Sequence, residues 1–128
     1  IDNTPMGEYL YNIKDAARRL DDVRELLGCP IIVSSWYRCP ELNRAVGGSA
    51  TSDHMTGKSI DFVSPKFGSV RAVCEKIASS DIEFDQLIYE TNSRGSQWGH
   101  IGFGDRMRRQ VLTYNSKKGY MYVGGIHD

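Results

Sequence analysis

No run of apolar residues in this sequence approaches the ~18 that a membrane-crossing helix needs, so a transmembrane helix is excluded. No N-terminal signal peptide is visible either. The chain opens on Ile1 rather than Met, as a processed or trimmed product does, so the missing leader says little about compartment. Cysteine is scarce. Cys29, Cys39 and Cys74 form no CxxC pair, and that spacing argues against a zinc ribbon. A Cys29–Cys39 disulfide requires an oxidising compartment, whereas Cys74 lies in a helix-like apolar pattern and reads as a buried thiol. Net charge is lacking too. Sixteen Lys and Arg offset 16 Asp and Glu, so no global field draws the chain toward nucleic acid or a membrane surface. One local cluster, Arg106, Arg108 and Arg109 followed by Lys117 and Lys118, reads as a solvated strand end. There are no repeats and no low-complexity tracts.

What is present is the composition of one globular domain. The 128 residues, 40% hydrophobic and 25% charged, suit a single core without disulfide staples. Leu10, Ile13, Ala17, Leu20, Val23 and Leu27 recur in steps of three and four, which predicts an amphipathic helix starting after Pro5 and stopping at Gly28. The stretch "PIIVSSW" is β-branched and reads as a buried or half-buried strand. From Tyr37 to Gly57 no period holds; this is a long Gly/Ser-rich loop, with room for a short helix at Glu41–Ala45, and loops of that length are often functional. "SIDFVS" alternates with Ile60 and Phe62 on one side and Ser59 and Asp61 on the other. Phe67, Val70, Val73, Cys74 and Ile77 mark a second helix. "EFDQLIYE" with "WGHIGFG", and "QVLTYN" with "YMYVGG", read as two hairpins. The expected fold class is α+β, about two helices packed on a mainly antiparallel sheet.

The polar residues of two segments suggest chemistry. His127, near the chain end, reads as a loosely held tail residue. His54 closes the Gly/Ser loop, and Asp61 points away from the apolar face of the strand that follows. His100 sits in a strand on the face opposite Ile101 and Phe103. A strand His alone is more often a hydrogen-bonded structural residue than a ligand. Together, however, two imidazoles and a carboxylate make the three-ligand set typical of catalytic zinc, with a fourth position left for water. Such a site also needs a base and an oxyanion donor. If Glu90 faces Trp98 across a hairpin, Glu90 and His100 project from one face as diagonal neighbours, ~7–8 Å apart at Cα. On pattern alone, Glu90 is equally a base or an exposed strand-end carboxylate.

"SSWYRCPELNRAVGGSATSDHMTGKSIDF" resembles the signature of the zinc D-Ala-D-Ala carboxypeptidases: Arg38 with Asn43 nearby, then Gly47–Gly48, Ser52-x-His54, Gly57, and Asp61 seven residues after the His. "FDQLIYE" and "WGHIGF" are similar to the segment that supplies the family's last His. The resemblance runs from the first helix to Phe103. It implies the fold shared by these peptidases and the hedgehog signalling domain, with residues 1–128 as a single peptidase domain. It implies Zn²⁺ held by His54, Asp61 and His100. Arg38 would bind a substrate carboxylate or polarise the scissile carbonyl, unless it closes the loop through a salt bridge to Glu41. Ser52 would donate a hydrogen bond beside the site, while Asn43 and the two glycines shape the loop. Trp98 either lines the pocket, touching substrate, or packs in the core. The implied substrate is the stem peptide of peptidoglycan, cut by a monomer at the bacterial cell wall, whether periplasmic, secreted or delivered by phage as an endolysin.

One position departs from the pattern. Several family members carry the catalytic carboxylate three residues before the last His, where this chain has Gln97. Either Glu90 is the base or the chain is a non-catalytic zinc-binding module of the same fold, such as a phage tail-associated domain.

Overall fold

The computed structural model describes residues 1–128. Helix α1 (Glu8–Leu27) leads to strand β1 (Ile32–Ser35), helix α2 (Pro40–Ala45), a 3-10 turn (Asp53–Thr56) and strand β2 (Ser59–Val63). Helix α3 (Val70–Ala78) and four strands follow: β3 (Gln86–Thr91), β4 (Gln97–Gly102), β5 (Gln110–Asn115) and β6 (Tyr120–Gly124). The strands form one six-stranded sheet in the order β1-β2-β4-β3-β5-β6.

The α+β class holds, with two differences. Three α-helices are present rather than about two, the third being the short α2 at the place where the loop had room for one. The sheet is mixed: β3 and β5 run parallel, Ile88 beside Leu112, while the other neighbours are antiparallel. Both expected hairpins form. Each long helix is bounded by recognisable chemistry. Gly28 ends α1 with φ of 67°, a left-handed conformation that costs glycine little. Ser69 caps α3 by accepting the N–H of Ala72.

One face of the sheet is dry. Ile60, Phe62, Leu87 and Ile101 lie there at 0% exposure, packed against Val23 and Leu27 of α1 and Val73, Cys74 and Ile77 of α3. Burial pushes the Cys74 thiol up to about 12, so it is inert, while Cys29 and Cys39 are free thiols and not a disulfide. The buried stripe of α1 differs from the expected one. Asn12 and Ala16 face inward, and Leu10 and Ala17 face water. Asn12 is tolerated because its amide donates to the Thr56 carbonyl at 2.9 Å. Strand β1 is the other correction: it is a sheet edge, and Ile32 and Val33 are 54% and 41% exposed.

The five residues of the basic cluster are exposed, as a solvated strand end is, but two of them, Arg108 and Arg109, also form a clasp. The chain leaves β4, passes the start of β3 and enters β5 through residues 103–109. Asp85, 4% exposed at its side chain, takes Arg108 Nε at 2.7 Å and Nη2 at 2.9 Å. The Arg109 guanidinium lies 4.6 Å over the Phe84 ring and donates to the Ser80 and Ile82 carbonyls. Arg108 holds the Asp85 carboxyl below its usual range. Removing Arg108 strands a buried carboxylate, so Arg108→Ala is expected to lower unfolding free energy by about 3 kcal/mol at neutral pH, read from urea midpoints. A depressed carboxylate stabilises above its unfolded pKa of ~3.9 and ceases to as pH falls through its folded value, so the difference between Arg108→Ala and the parent shrinks below about pH 4. The terminal His127 is also held rather than loose: its N–H donates to Thr113 Oγ1 at 3.0 Å.

Candidate metal centre

The other face of the sheet is open, and its polar residues converge there. Asp61 of β2 pairs with His100 of β4, so both side chains emerge side by side. Glu90 pairs with Trp98 across the β3–β4 hairpin, which places Glu90 diagonal to His100 on the same face. His54 arrives from the 3-10 turn. Ser52 caps that turn, its Oγ accepting the His54 N–H at 3.1 Å, and Gly57 closes it with φ of 82°. A Cβ on Gly57 would lie 2.8 Å from Ile13 Cγ1, so glycine is what lets α1 pack against the turn.

His54, Asp61 and His100 form a group that could hold a metal ion, with one ligand atom from each lying within 4.8 Å of the others. Asp61 Oδ1 is central, 3.3 Å from His54 Nε2 and 2.9 Å from His100 Nδ1. The His54 ring is 3% exposed, and its Nδ1 donates to the Trp36 carbonyl at 2.7 Å. A carbonyl only accepts, so Nδ1 carries the proton and the neutral ring turns the Nε2 lone pair toward the Asp61 carboxylate. Two acceptors at 3.3 Å repel unless a proton or a cation lies between them. A divalent ion satisfies both, and the contact is close to the ~3.3 Å edge of a tetrahedron with 2.0–2.1 Å bonds. The donor set, two nitrogens and one oxygen, suits zinc. The Trp36 carbonyl is the outer partner that fixes such a ligand's tautomer.

The electrostatics agree. Burial opposes charge on Asp61, but the hydrogen bond it accepts from His100 outweighs it and holds the carboxyl far below its usual range. Burial works against a charged His100 as well, yet the bond to Asp61 raises its pKa. Glu90 is shifted upward, chiefly by burial. Its Oε2 lies 3.9 Å from His100 Nδ1 and accepts the Trp98 indole N–H at 2.7 Å.

The remaining predicted residues occupy the same cleft, a cavity of about 660 Å³. Arg38 donates from Nη2 to Ser52 Oγ at 3.4 Å and forms no ion pair with Glu41. Its Nε is buried without a partner. Trp98 lines the cleft and orients Glu90. Asn43 and Gly48 shape the loop: a Cβ on Gly48 would fall 2.1 Å from Asn43 Oδ1. Gln97 lies on the opposite face, donating to Tyr89 Oη at 2.8 Å. The β3–β4 register is regular, so position 97 alternates away from the metal group. Missed by sequence were the cleft's far floor and wall, Ile88, Leu112, Tyr114 and Tyr122. Leu112, Tyr114 and Tyr122 came from strands assigned no chemistry, and Ile88 from the strand on which only Glu90 had been singled out.

A family model described as Peptidase M15 matches residues 1–100. The chain belongs to the M15 peptidase family, of the zinc D-Ala-D-Ala carboxypeptidase type. That family is zinc-dependent. No curated protein matches the chain.

Proposed function

We propose that this protein is a zinc-dependent metallopeptidase that hydrolyses D-amino-acid-containing peptides of the bacterial cell wall, with residues 1–128 acting as one catalytic domain and as a monomer. The observation that carries the reading is a half-buried carboxyl, Glu90, whose Oε2 lies 3.9 Å from His100 of a His–Asp–His group on the one open face of the sheet. A carboxyl beside a three-ligand group that leaves a fourth position for water is placed as a general base, and that favours catalysis over a non-catalytic binding module.

In this reading His54, Asp61 and His100 hold the ion. Bound zinc supplies a Lewis acid and a water acidic near pH 7. Glu90 takes the proton of the attacking water and passes it to the leaving amine, its carboxylate aimed by the Trp98 indole. The upward shift of Glu90 suits a group that must both take and give a proton. Arg38, with a buried and unpartnered Nε, donates to the substrate carboxylate or to the developing oxyanion. Ser52 holds Arg38 and the His54 turn together.

Mass spectrometry of products from defined stem peptides tests this. Cleavage at a single amide bond beside a D-residue, with Zn²⁺ and not after chelation, is expected. Intact peptides in both conditions would leave the metal group without a peptidase role.

A further inference from the structure

The cleft does not stop at the metal group. It crosses β3 and β5 and ends at an aromatic wall, where the rings of Tyr114 and Tyr122 lie 5.0 Å apart. Neighbouring strands are ~4.8 Å apart, so from β4 to β6 this run covers roughly 14 Å, or about four residues of extended peptide. Its floor has an apolar pair, Ile88 and Leu112, in register on the parallel strands, with the bonded amides of Gln86 and Gln110 one step along the same face. On the other side of the metal group, Arg38 enters from the β1–β2 end.

Tyr122 is placed there at a cost. Its φ is 55°, a left-handed conformation rare for a bulky residue. The cause is a bulge: Thr113 pairs with Val123 and Asn115 with Tyr120, so Met121 and Tyr122 together oppose Tyr114. The bulge turns the Tyr122 ring onto Tyr114 and into the cleft. Strand β6 is an exposed edge, with Met121 73%, Tyr122 52% and Val123 41% exposed. Both tyrosines lie beyond residue 100, where the family match ends.

We infer that Tyr114 and Tyr122, over the Ile88–Leu112 floor, form an extended subsite for the amino-terminal part of the substrate, making the protein selective for long stem peptides over short carboxy-terminal fragments. The polarity follows from Arg38. It is the one Arg or Lys lining the cleft and has no carboxylate partner, so with the substrate carboxylate on Arg38, the first of its two roles above, the chain on the other side of the scissile bond runs toward β6. Small aliphatic side chains suit the floor, and the amide planes of an extended peptide pack against the tyrosine rings. The inference rests on the peptidase reading above.

The test compares kcat/KM for stem peptides shortened one residue at a time from the amino end, in the parent and in Tyr122→Gly. Glycine accepts the positive φ, so the variant keeps its fold, checked by thermal melting. In the parent the long-to-short ratio is expected to reach about tenfold; in Tyr122→Gly it falls toward one. Titration of the same peptides into Glu90→Gln and Glu90→Gln/Tyr122→Gly proteins gives a binding readout without turnover, with about a tenfold weaker Kd for the long peptide in the double variant. Length selectivity that survives Tyr122→Gly, or a parent with none, overturns the subsite while leaving the peptidase reading intact. Peptides that are neither cut by the parent nor bound by Glu90→Gln overturn both.

Discussion

Glu90→Gln is expected to abolish hydrolysis of purified peptidoglycan while leaving the zinc in place. The loss should fall in the range ~10²–10⁴-fold that a positioned general base contributes. Glutamine keeps the shape of the side chain and an oxygen for the Trp98 indole, which donates to Glu90 Oε2 at 2.7 Å, so the fold and the cleft should be preserved. It cannot take a proton. Glu90 lies 3.9 Å from His100 Nδ1 and is not a member of the His54–Asp61–His100 group, so metal content should not change. Gln97→Glu is a useful companion. That side chain projects to the other face, beside Tyr89 and Thr91, and a carboxylate there should not rescue Glu90→Gln. Full activity in Glu90→Gln would remove it as the base.

Removal of a metal-group side chain is expected to act differently, by emptying the site. His54→Ala, Asp61→Ala and His100→Ala should each reduce zinc from about one per chain to below ~0.2. Asp61→Ala should be the most severe, because one oxygen, Asp61 Oδ1, touches both imidazoles at 3.3 and 2.9 Å. The variants also separate ligand from scaffold through stability. Zinc at a hundred times its Kd raises the parent's unfolding free energy by ~2.7 kcal/mol, and that gain should vanish in all three. A variant that keeps full occupancy and the full thermal shift is not missing a ligand.

Much of this site could be read before the fold was known, for a physical reason. Strand alternation fixes which side chains share a face, so Asp61 opposite Ile60 and Phe62, and His100 opposite Ile101, followed from spacing alone. The Glu90–Trp98 pairing entered as a condition of a hairpin, and the register has that pairing. Alternation does not say which strand lies next to which. The parallel β3–β5 pair therefore had no sequence signal, nor did the place of β1 at an edge, where an apolar run suggested burial. The stripe of α1 was displaced because alanine carries little patterning information and because Asn12 is buried on a hydrogen bond that no periodicity reveals. Asp85 passed unnoticed since its partner, Arg108, looked like one more charge in a surface cluster. Tyr122 was hidden by the bulge, which breaks the rule that residues two apart share a face.

The most direct test of a zinc peptidase is activity measured against zinc occupancy in one preparation. Chelator-stripped protein is titrated with Zn²⁺ while new amino groups released from purified peptidoglycan are counted and bound zinc is determined by elemental analysis. No release from the stripped protein, and a rise that saturates at one zinc per chain, is the predicted result. Release that is indifferent to chelation, or none from protein carrying one zinc per chain, would contradict it.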